Sequence, residues 1–107
     1  MKYCVMANLR LETPDKRDKL DLDLIAKIGA KPYWSREITK GQDEEGKPSH
    51  NLQIRFDNRK DSDEVFAFLK EKIVKIPVLK GEISKHDCAH DEPTLIRPCV
   101  ISEKFVK

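Results

Sequence analysis

Glycine-rich loops, paired cysteine motifs and long apolar runs are all missing from this chain of 107 residues. With only four glycines it has no phosphate-cradling loop of the G-x-x-x-x-G-K or G-x-G-x-x-G kind. No stretch approaches the roughly 20 apolar residues needed to cross a bilayer. The apolar run at Tyr3 to Ala7 is too short for the core of a secretory signal. Aromatics are 7% of residues, and the pairs that stack single-stranded bases on two central strands are absent. Neither charge sign dominates. Twenty-one basic and 19 acidic residues leave a formal charge of +2, which argues against nucleic acid and against an anionic membrane as partner. Three cysteines cannot form a complete disulfide framework within one chain. The expected location is therefore the cytoplasm, where clustered thiols bind metal or do chemistry.

What is present is charge and periodicity. Charged residues make up 37% of the chain and hydrophobic ones 38%, but the apolar positions recur in register rather than being diluted. That pattern predicts one compact domain over 1–107 with a heavily charged surface. Its core falls at about 3–90, with a C-terminal appendage at about 91–107.

Residues 3–11 alternate: Tyr3, Val5, Ala7, Leu9 and Leu11 share one face, and Cys4, Met6, Asn8 and Arg10 the other. Period two predicts a half-buried strand. Thr13-Pro14-Asp15 reads as cap, first-turn proline and acid. Leu20, Leu24, Ile25 and Ile28 then form a helical stripe that Gly29 ends. Residues 33–39, opening on Tyr33 and Trp34, predict a second strand, and 51–57 a third, joined by a polar loop over 40–49. Asp61 or Ser62 is the expected cap of a second helix. Its apolar face runs through Val65, Phe66, Phe68, Leu69, Ile73 and Ile76, and Pro77 stops it. A strand over 78–89 follows, then an extended piece over 95–101 broken by Pro98.

Strand, helix, strand, strand, helix, strand is the element order of the α+β architecture called ferredoxin-like (βαββαβ). The resemblance lies in element order alone. It implies a two-layer sandwich: an antiparallel sheet with both helices on one face, the other face open, and a short C-terminal extension. The first strand then lies beside the last. Cys4, Met6, Asn8 and Arg10 would share the open face with Gln53, Arg55, Ser84, His86, Cys88 and His90.

Ligand-type side chains concentrate at Lys85-His86-Asp87-Cys88-Ala89-His90-Asp91-Glu92, followed by Cys99. His86, Cys88 and His90 share one side of a strand at spacings that let neighbouring pairs converge on an ion. Cys99 or Cys4 could complete a tetrahedral set, for which Zn²⁺ is the natural occupant. Glu92 could orient a ligating imidazole or activate water. The competing readings are a polar edge strand that merely carries these residues, and a Cys88 nucleophile flanked by imidazoles in a small enzyme. A further alternative is a non-catalytic module that dimerises or binds a partner through its open sheet face. Arg10, Arg36, Arg55 and Arg97 read as a solvated face, and His50 as a surface histidine.

Overall fold

The computed structural model describes residues 2–29, 35–76, 78–88 and 100–107. Tyr33, Trp34, Pro77 and the segment carrying His90, Glu92, Arg97 and Cys99 lie outside the described residues. Seven elements follow one another: β1 (Lys2–Leu11), α1 (Pro14–Gly29), β2 (Ser35–Gln42), β3 (Pro48–Phe56), α2 (Arg59–Lys75), β4 (Val78–Cys88) and β5 (Val100–Val106). They form an α+β fold with one five-stranded antiparallel sheet in the order β2-β3-β1-β4-β5.

The core lies between the sheet and the two helices. Val5, Leu9 and Leu11 of β1, Ile54 and Phe56 of β3 and Ile83 of β4 are fully buried against Leu24 and Ile28 of α1 and Val65, Leu69 and Ile73 of α2. These are the alternating strand positions and the helical stripes that the sequence marks out. Burying each such side chain stabilises the fold by about 1.5–3 kcal/mol before the entropy of ordering it.

Two boundaries shift from expectation. The cap of α2 is Asn58, not Asp61 or Ser62: the Asn58 Oδ1 accepts the Asp61 backbone N–H at 2.9 Å. The hairpin is also longer than predicted, because its loop needs only 43–47. Asp43 organises that loop, its Oδ1 accepting from the Glu45 and Lys47 amides at 2.9 and 2.8 Å. Gly46 supplies the left-handed turn residue at φ 81°, a conformation that side chains resist.

The larger departure is β5. The arrangement is not the plain βαββαβ expected, because the chain end joins the sheet beside β4. Phe105, opposite Ile83, packs onto the core. Lys107 fastens the end of the strand. Its Nζ donates to the carbonyls of Ile73 and Ile76, at 2.7 and 3.2 Å, satisfying groups that a helix C-terminus leaves open. Glu103 and Lys104 break the apolar alternation in mid-strand, which is why composition reads as an appendage. A register shift between Lys85 and His86 accommodates the join.

Candidate functional site: the sheet face opposite the helices

Cross-strand register sets the face turned away from the helices in rows. Cys4 lies directly between Arg55 of β3 and His86 of β4. The next rows are Glu37–Gln53–Met6–Ser84–Lys104 and Thr39–Asn51–Asn8–Glu82–Val106. Arg10, between Ser49 and Lys80, closes the far end. Directly opposed antiparallel residues have Cα atoms about 4.5–5.5 Å apart, so each row is a continuous strip of contact.

The Cys4 end of this face is more closed than an open sheet implies. Cys4 is 2% exposed, Arg55 7% and Ser84 8%. Arg55 is thus a buried neighbour of a thiol, not part of a solvated arginine face. Burial pushes the Cys4 thiol above its ordinary pKa, and the Arg55 guanidinium only partly offsets this. At neutral pH Cys4 is therefore a protonated thiol and not a nucleophile. His86 is half-buried, with its Nε2 2.8 Å from the Ser84 Oγ.

Of the proposed zinc ligands, the fold brings Cys4 and His86 together. The backbone of Cys88, opposite Lys2, lies two residues beyond His86 on the same strand. His90, Cys99 and Glu92 fall outside the described residues. Among the described residues no three His, Cys, Asp or Glu side chains are grouped to hold a metal ion.

At the far end lies a depression of about 640 Å³ lined by Asn8, Arg10, Asp43, Lys47, Lys80 and Glu82. Arg10 is held there by the Asn8 Oδ1 at 2.8 Å and the Asp43 carboxylate at 3.5 Å. A shallower hollow of about 300 Å³ lies over Met6, Asn8, Glu37, Thr39, Asn51 and Gln53. Volumes of this size suit ligands, but ligand sites are mostly apolar and enclosed. Charged, open hollows fit a polar partner surface better. Met6, 41% exposed, is the apolar centre.

The residues missed from sequence sit on the other side of the sheet. His50 is not a surface histidine: it is fully buried, with its Nε2 2.8 Å from the Asp21 Oδ1 of α1. The second Asp21 oxygen takes the Lys40 ammonium at 3.2 Å. Burial raises the Asp21 pKa, but hydrogen bonds and charge from His50 and Lys40 outweigh it and hold the carboxyl below its ordinary range. Both signals were present in the sequence. His50 shares strand parity with Leu52, Ile54 and Phe56, and Asp21 stands one helical turn before Leu24 and Ile25.

No protein-family model matches the chain, and no curated protein matches it. Its fold is similar to the de novo designed protein Foldit4, with TM-score 0.61 and 11% identity over 82% of this chain and 99% of that one. An anthrone oxidase-like protein matches with TM-score 0.52 and 15% identity. That match covers 97% of this chain but 44% of the longer one. LarC2, the C-terminal domain of a cyclometallase involved in synthesis of the NPN cofactor of lactate racemase, gives TM-score 0.43 and 12% identity over 79% of this chain and 56% of its own. For Foldit4 and the anthrone oxidase-like protein the likeness is one of fold alone. No helix among the described residues is long and apolar enough to cross a membrane.

Proposed function

We propose that the chain is a non-catalytic interaction module, a ferredoxin-like core extended by β5, whose working surface is the sheet face opposite the helices. The observation that carries this reading is the one-sided placement of α1 and α2. Both helices pack on the Val5–Leu9–Ile54 side. The reverse side, among the described residues, presents Met6 within a field of Asn8, Asn51, Gln53 and Glu37. Interfaces of this mixed kind, an apolar anchor within a polar surround, are ordinary protein-binding surfaces. The test is Met6→Arg, which leaves the core untouched. On this reading the variant stays folded, with native circular dichroism, and loses self-association or partner binding. Unchanged association would contradict it.

A second reading is a zinc site using His86, Cys88 and the ligands His90 and Cys99, with Cys4 as a further donor. It is favoured by the direct pairing of Cys4 with His86 and the position of Cys88 two residues on. It ranks second because among the described residues no three His, Cys, Asp or Glu side chains are grouped to hold an ion. Elemental analysis of protein purified without chelator tests it. About one zinc per chain, lost in His86→Ala and Cys88→Ser, supports it. No metal after zinc is added back under reducing conditions rejects it.

A further inference from the structure

Resting on the interaction-module reading, we infer that the occupant of the open face is a second copy of this chain, related by a two-fold axis parallel to β1. Strand register sets the contacts. β1 is the middle strand of five, so an axis along it lays β2 over β5 of the other copy and β3 over its β4. Met6 then meets Met6, and Asn8 meets Asn8. Glu37 meets Lys104 of the other copy twice, once on each side of the axis. Asn51 meets Glu82, which an amide can satisfy by donating to the carboxylate.

The alternative axis, perpendicular to the strands, exchanges the two central rows. It sets Lys104 against Val106 and Met6 against Asn8, pairing a cation with an apolar side chain and losing both charge matches. The axis along β1 is the self-complementary one. Its cost is Arg10 facing Arg10 at one end, which Asp43, 3.5 Å from each Arg10 within its own chain, offsets. Lys104 already contacts Glu82 at 2.8 Å, so Glu37 of the other copy would complete an acid–base–acid cluster. Sheets packed face to face are rotated by about 30°. That rotation tilts the axis about 15° from β1 and offsets the edge strands by about 5 Å, within the reach of Glu and Lys side chains.

Leaving out the closed Cys4 end, five strands about 4.8 Å apart and about 20 Å long present roughly 480 Å². A standard interface uses about 800 Å² per partner. The face suits a dimer of modest affinity.

The test is a charge exchange read by sedimentation equilibrium from low micromolar to millimolar protein. The wild type is expected to dimerise. Glu37→Lys alone and Lys104→Glu alone each turn two ion pairs into like-charge contacts and should weaken the dimer about tenfold or more. The double variant should recover to within about threefold of wild type. Circular dichroism confirms that each variant is folded. Wild type monomeric at millimolar concentration overturns the inference. So does a dimer in which the double variant is no better than the singles. If Met6→Arg dissociates that dimer, the axis is wrong and the open-face reading stands. If Met6→Arg leaves it intact, the open-face reading fails as well.

Discussion

Asp21 and His50 stand 29 positions apart in sequence and meet at 2.8 Å inside the fold. Their contact ties the middle of α1 to the start of β3, and Lys40 on the Asp21 carboxylate brings in β2. Three elements are thereby fixed by one carboxylate. Such buried polar contacts specify geometry more than they add net stability, because they make sliding α1 along the sheet costly.

Asp21→Ala should destabilise the protein by about 1–3 kcal/mol, since it leaves the buried His50 ring without its partner. The pH dependence has a definite sign. The folded carboxyl lies below its ordinary value of 3.8, so its contribution is fully present above the unfolded value. It is lost as pH falls from about 4 through the lower folded value. Denaturant melts at pH 7 and at pH 3 should show this loss in the wild type. Asp21→Asn, with no carboxyl to titrate, should show a smaller loss over the same interval.

Cys4 should be slow to react. It is buried, and its thiol is held above the ordinary pKa by that burial. A disulfide reagent at pH 7.5 should modify it at least tenfold more slowly in the folded protein than in denaturant. Cys88→Ser/Cys99→Ser protein isolates the Cys4 signal. Equal rates in the two states would show that the thiol is accessible.

Gly81 is a packing position. A Cβ there would stand 3.2 Å from the Leu9 Cδ2 and 3.4 Å from the Val78 Cγ1, with Leu9 fully buried behind it. Gly81→Val places two further methyls into that contact and should cost about 1–3 kcal/mol. Thermal melting checks it, and an unchanged midpoint would mean that β4 yields more easily than its close packing implies.

Much of this fold was legible because its core positions obey simple periods. Val5, Leu9, Leu52 and Ile54 alternate, and Leu20, Leu24 and Ile28 fall four apart, so strands and helices announce themselves. β5 was hidden because Glu103 and Lys104 interrupt its alternation. Their partners, Lys85 and Glu82, lie on another strand, where a local pattern does not reach. His50 was misread for a related reason. A polar residue on the apolar side of a strand is legible only when its partner is found, and Asp21 lies on a different element. The placement of Cys4 beside His86 followed from strand parity and pairing. The burial of Cys4 did not, because strand parity places it on the side away from the helices and encodes nothing of what packs there.

The most direct measurement is a concentration series of methyl and amide NMR spectra with a soluble paramagnetic agent. Dilution should shift the signals of Met6, Asn8, Asn51 and Glu37. The Met6 methyl should be shielded from the agent at high concentration and exposed at low. Signals of Leu22 and Val74, exposed on the helices, should stay constant throughout. Concentration-dependent shifts confined to the helical side, or to the outer edge of β5, would contradict the claim that the open sheet face is the working surface.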